Sequence, residues 1–319
     1  MKKFLFLGIA ATAMFASCTK DEMVEMSPQN AIGFETFVDK STRVTDVTTT
    51  NLAAFEVYGW RTKDATTEQI FDAQAVTANN GVCTYSPIQY WVGGYNYTFE
   101  AIAPKSGNNG VTFDADNGAS TITFVSNSET DLIYATGGKD LTGTANLTAT
   151  PGAVGLKFNH LLSRVKFTFT NGAAVNSAAT ITVSDVKITN AGNTATYSPF
   201  TDGGKWSAVT GSQEVGFAST DIADIAGGAS EDTEHMYLIP CDVNNYTLSF
   251  KVTMTQKQGN SSTGVSDEFT YTNVKLANSS YTLEKGCSYN FKTTFNPGYP
   301  IEFTAEVTEW DNFTNVNIP

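Results

Sequence analysis

The sequence predicts an all-β protein built from β-sandwiches, on three observations. Short apolar–polar alternations recur along the chain, each bounded by Gly, Asn, Asp or Pro. No segment sustains a long helical period of apolar residues. Charged residues make up only 16% of the 319 residues, while Thr, Ser, Asn and Gly are abundant. That composition belongs to β-rich extracellular proteins rather than helical cytosolic enzymes. The length is generous for one β-domain and suits two of about 150 residues.

The first element is a leader. Lys2 and Lys3 precede an apolar run, Phe4 to Phe15, that is too short to span a bilayer and has the length of a signal-peptide core. Small residues and Cys18 follow, giving Phe-Ala-Ser-Cys. This resembles a bacterial lipobox, in which the Cys thiol takes a diacylglycerol thioether and cleavage falls just before it. Lys20-Asp21-Glu22, directly behind, looks like the surface-export signal of Bacteroidales lipoproteins. Residues 18–30 read as a polar tether. The chain carries 19 basic and 32 acidic residues. Loss of Lys2 and Lys3 leaves a net charge of about −15, which opposes binding to nucleic acid and anionic lipid heads. No later apolar run approaches spanning length, so a lipid on Cys18 is the expected anchor.

The strands follow in order. Ala31 to Val38 alternates, and a polar loop containing Arg43 succeeds it. Asn51 to Trp60 is the next strand, and Ile70 to Tyr85 is a pair turning at Asn80-Gly81. Tyr97, Phe99, Ala101 and Ala103 share one face of a strand that Pro104 stops. Val111 to Phe113 and Thr121 to Phe124 form a hairpin, and Asp131 to Ala135 a short strand. Ala153 to Asn159 precedes Val165, Phe167 and Phe169, which alternate with Lys166, Thr168 and Thr170 as a half-buried strand should. The domain boundary is placed near His160. Tyr246 to Met254 gives the cleanest alternation, and strands at 269–276, 288–295 and 301–307 complete the set.

Candidate chemistry is sparse. Asp114-Ala-Asp-Asn-Gly118 imitates the start of a calcium loop, but Val125 stands where the bidentate Glu belongs. His160 and His235 accompany no nucleophile elbow, phosphate loop, HExxH or CxxC pattern, and His160 is read as a structural histidine. Glu302 and Glu306 lie opposite Ile301, Phe303 and Val307, as on a solvated strand face. Trp60, Trp91, Trp206 and Trp310 are expected mostly in cores. Beyond Cys18, an odd set remains, Cys83, Cys241 and Cys287, and the sequence leaves pairing of Cys241 with Cys287 open. The expectation is no enzyme, no metal and no cofactor.

Several motifs then fall into one order. They are FxHLLSRVxFxF (Phe158, His160, Leu161, Ser163, Arg164, Val165), GYNYTFEAIAP, DLIYA, LEKGCSYNF and a closing IxFxAxVxxW. Together, behind the lipobox and spanning nearly the whole chain, the motifs resemble the Bacteroidales fimbrillin family, or type V pilins. The resemblance implies two tandem transthyretin-like β-sandwiches, residues 31–160 and 161–319, behind a leader of residues 1–17. It implies a lipoprotein precursor, lipidated at Cys18, that reaches the outer-membrane surface. There an arginine-directed protease cuts at Arg43 and removes the first strand. A donor strand from a neighbour, carrying Ile301, Phe303, Ala305 and Val307, fills the groove. The implied partners are other fimbrial subunits, a host or bacterial surface receptor, and the outer membrane through the lipid. The alternatives are a tip or anchor subunit, or a non-polymerising surface lipoprotein that binds a glycan or host protein.

Overall fold

The computed structural model describes residues 30–38, 47–217, 222–257, 264–276, 281–296 and 303–309. Among these there is no α-helix. The first half contributes β1 (Phe34–Val38), β2 (Ala54–Lys63), β3 (Thr66–Asn79), β4 (Val82–Thr84), β5 (Asn96–Ala103), β6 (Val111–Asp114), β7 (Thr121–Val125), β8 (Ile133–Asp140) and β9 (Val154–His160). Next come β10 (Ser163–Asn171), β11 (Ala179–Ala191), β12 (Thr194–Ser198), β13 (Lys205–Trp206), β14 (Gln213–Gly216), β15 (Ile222–Ala226) and β16 (Ser230–Asp232). The chain closes with β17 (Met236–Leu238), β18 (Thr247–Lys257), β19 (Gly264–Lys275), β20 (Cys287–Phe295) and β21 (Thr304–Glu309).

In the first half a closed barrel runs β1-β4-β3-β2-β5-β8-β9. Its core is aromatic, with Phe34, Phe55, Phe71, Trp91, Tyr97, Phe99 and Phe158 all buried. The turn at Asn80-Gly81 connects β3 to β4 with φ of 49° and 83°. Two consecutive positive φ values give the twist a tight hairpin needs, and Asn and Gly tolerate them best. In the second half, β16-β10-β20-β21, with β17 beside β10, faces β14-β11-β18-β19, with β15 beside β11. Val165, Phe167 and Phe169 from one sheet meet Leu248, Phe250 and Val252 from the other in a single core.

β9 and β10 lie in different sheets on either side of His160. The two halves are nevertheless stitched together. β6 and β7 pair with β12 and β13 in one four-stranded sheet, in the order β13-β12-β7-β6. A third apolar core forms beneath it from both halves, including Tyr58, Ile122, Phe124, Leu162, Tyr197 and Ile239.

One expectation is corrected. The alternation predicts a half-buried β10, yet both of its charged residues are buried: Arg164 is 1% and Lys166 3% exposed. Buried charge is tolerated where it is paired. Arg164 Nε donates to Ser288 Oγ at 3.0 Å, and Lys166 Nζ contacts Asp232 Oδ2.

Candidate functional site

Two strands define the site, the first and the last. β1 folds as a strand because its residues alternate: Phe34, Thr36 and Val38 point inward, Glu35 and Phe37 outward. Ile32 continues the inward row at 1% exposure. β1 runs parallel to β9 over its whole length, with Phe34 opposite Val154 and Val38 opposite Phe158. On its other side Glu35 pairs with Val82 of β4. β1 therefore closes the barrel, and a barrel without it has two raw edges.

The seat of β1 is built around Phe34. Its ring packs edge-on or tilted against Phe71, Tyr85 and Phe99, with centroids 5.5, 5.6 and 5.5 Å away. Backbone bonds secure the strand's start: Ile32 N donates to Gln89 O at 2.8 Å, and Tyr85 Oη donates to Ile32 O at 2.7 Å. At its end Val38 N donates to Thr49 Oγ1 at 2.9 Å. One feature fits poorly. Thr36 Oγ1 is buried without a hydrogen bond, and its polar neighbour is the weakly polar Cys83 thiol.

The last strand lies at the edge of its sheet among the described residues. Among the described residues β21 pairs with β20 alone, antiparallel, from Thr304 opposite Lys292 to Glu309 opposite Cys287. Phe303, just before it, is buried in its own half, with centroids 5.7, 6.1 and 6.2 Å from Phe167, Phe169 and Phe250. Ala305 is partly buried against that core, while Val307 is 45% exposed. Glu306 does not sit on a freely solvated face: its Oε2 pairs with Lys292 Nζ, and its side chain is 13% exposed. Cys18, Arg43 and Ile301 lie outside the described residues.

Other candidates resolve as structural groups. His160 Nδ1 lies 2.8 Å from Asp131 Oδ2, with both side chains almost fully buried at the junction. Lys285, within the second half, donates to Tyr197 Oη at 2.8 Å and to the Gly203 and Gly204 carbonyls at 2.9 Å. Trp60 and Trp91 are buried, Trp206 is half-buried, and Trp310 lies outside the described residues. Cys83, Cys241 and Cys287 form no disulfide among the described residues. Glu100, which is 2% exposed, carries no local signature that marks it. Its carboxylate accepts from Tyr134 Oη at 2.8 Å and Ser120 Oγ at 3.0 Å, and burial raises its pKa.

The fold is shared with bacterial proteins of solved structure. A crystal structure of a fimbrial protein from Bacteroides vulgatus superposes with a TM-score of 0.62 at 19% identity, over 88% of this chain and 99% of that one. A putative cell adhesion protein from Bacteroides ovatus gives 0.54 at 17% identity, over 90% and 99%. The chain belongs to the fimbrillin-like family, whose sequence profile matches residues 42–310. Fimbrium subunit Fim1C of Phocaeicola vulgatus is 24% identical to it over 98% of both chains.

Proposed function

We propose that this chain is a polymerising subunit of a cell-surface fimbria, assembled by strand exchange. In this reading Cys18 carries the lipid of an outer-membrane precursor, cleavage at Arg43 frees β1, and a neighbour's C-terminal strand takes its place. One observation carries the proposal. The inward row of the first strand is Ile32, Phe34, Thr36, Val38, and the C-terminal segment offers Ile301, Phe303, Ala305, Val307 at the same spacing. Each seat receives its like. Phe303 would leave one nest of three aromatic rings for another. Ala305 would replace Thr36 and remove the unbonded hydroxyl. Val307, 45% exposed at home, would enter the seat where Val38 is 8% exposed. Burying that difference is worth roughly 0.5–1 kcal/mol. Backbone pairing along the groove supplies the rest of the affinity, as in other strand additions. Donor and acceptor surfaces differ, so contacts need not close and a filament follows.

The burial of Phe303 in its own half favours a second reading, a terminal subunit that accepts a strand and keeps its own. Val307→Asp separates the two. Val307 is exposed at home, so the variant should fold and be cut normally. A polymerising subunit should then fail to form gel ladders, because an unpaired carboxylate cannot enter an apolar seat. Normal ladders from Val307→Asp would defeat the exchange reading. Incorporation of the wild-type chain once per filament, seen by immunogold labelling, would favour the terminal one.

A further inference from the structure

We infer that Lys157 reads the register of the incoming strand by pairing with Glu306 of a second copy of this chain. The inference rests on the strand exchange proposed above and adds the outward face to it.

In the intact chain Phe37 stands opposite Lys157 in the parallel β1–β9 ladder. The two residues share the outer face, and Phe37 is 53% exposed. When Ile301, Phe303, Ala305 and Val307 take the inward seats, the outward positions are fixed. Glu306 falls where Phe37 was, beside Lys157, and Thr304 falls where Glu35 was. Glu302 falls where Gly33 was. A Cβ at Gly33 meets nothing nearer than Ala153 Cβ at 3.5 Å, an ordinary contact, so the backbone there accepts a side chain.

Glu306 already has a lysine at home. Its carboxylate pairs with Lys292 on the adjacent β20. Exchange would give Glu306 a neighbouring-strand lysine in place of the one it leaves. The trade also supplies information that the inward row lacks. A one-residue slip turns every apolar side chain outward and is excluded by alternation. A two-residue slip keeps apolar residues inward. Either two-residue slip, however, places Thr304 or Thr308 beside Lys157, and neither carries a charge. Opposite charges at neighbouring positions of adjacent strands favour pairing and like charges oppose it. In a chain with a formal net charge of −13, a lysine on the acceptor strand also relieves repulsion between copies.

The test is zero-length carbodiimide cross-linking, which joins only a lysine amine and a carboxylate in contact. It is applied to the full-length precursor and to filaments grown from mixed light and heavy nitrogen-labelled chains. The precursor should yield Lys292–Glu306 within one chain. Filaments should yield Lys157–Glu306 between a light and a heavy chain. Lys157→Glu, at an exposed position, should slow filament growth about tenfold, as should Glu306→Lys, and the chain carrying both should recover. Filaments of normal growth rate from Lys157→Glu, with the within-chain Lys292–Glu306 link lost, overturn the register assignment and leave strand exchange standing, whereas filaments that retain only the Lys292–Glu306 link overturn both. Trimmed wild-type chains that form no filament overturn both.

Discussion

Replacing Phe34 by Ala should destabilise the uncut precursor far more than the same change at Phe37, three residues along the same strand. Phe34 is 3% exposed, and three aromatic rings lie within 5.6 Å of its centroid. Removing a buried phenyl ring costs about 3–5 kcal/mol, because the lost transfer energy is joined by an unfilled cavity. Phe37 is 53% exposed on the outer face, and surface changes of that kind stay within about 0.5 kcal/mol. For a domain of this size each kcal/mol moves Tm by about 2–4 °C, so Phe34→Ala should lower the barrel's Tm by roughly 6–20 °C. Scanning calorimetry on the two variants and the wild type makes the comparison. The closed-barrel account of β1 fails if Phe34→Ala melts within about 2 °C of the wild type, or if Phe37→Ala costs as much.

Thr36→Val should stabilise the precursor by about 1 kcal/mol in chemical denaturation, since a buried hydroxyl without a hydrogen bond is removed and the shape kept. A loss of stability would mean that Thr36 Oγ1 is satisfied after all. Glu100 gives a pH dependence. Burial raises its folded-state pKa above the ordinary 4.5, so the folded state holds a proton that the unfolded chain has released. Stability from this group is therefore full below the ordinary value and is lost as pH rises through the window up to the raised one. Glu100→Gln should remove that slope from the Tm–pH profile. The amide can still accept from Tyr134, and Ser120 Oγ can turn its proton to the Asp116 carbonyl, 2.9 Å away. An unchanged slope would assign it to other carboxylates.

Much of this architecture is legible in the sequence, where local pattern and tertiary environment agree. Tyr246 to Met254 alternates cleanly, and Leu248, Phe250 and Val252 are each 0% exposed. Asn80-Gly81 predicts its hairpin through backbone conformation alone. What escapes is set by distant partners. The parallel pairing of β1 with β9 joins residues 34–38 to residues 154–158 and has no local signature. Lys166 looks like a solvent-facing residue until Asp232 is brought beside it. β13 to β17 are only two to five residues long, too short for a period to show. The last strand shows which of its residues face inward, but not that Phe303 already has a seat in its own half. That seat matters to the proposed function, since it makes the C-terminal strand something a chain must give up as well as something a neighbour gains.

The cost of giving it up explains why cleavage should be required. While β1 is covalently attached, its effective concentration at the groove is on the order of millimolar or higher, and an incoming strand must outcompete it. The incoming strand carries nearly the same inward row, so it has little advantage in contacts alone. Cutting the loop removes the tether and leaves two similar strands competing on equal terms. A synthetic peptide spanning residues 301–309 isolates this step, because it has no home domain to leave. At about 100 times its Kd such a peptide adds about 2.7 kcal/mol to the protein it binds. It should therefore raise the Tm of chains cut at Arg43 and freed of β1 by roughly 5–10 °C, and leave the uncut precursor unmoved. A peptide carrying Val307→Asp should shift neither form. Equal shifts for cut and uncut chains would place the peptide somewhere other than the β1 seat, and no shift for either would mean that the seat does not accept this segment.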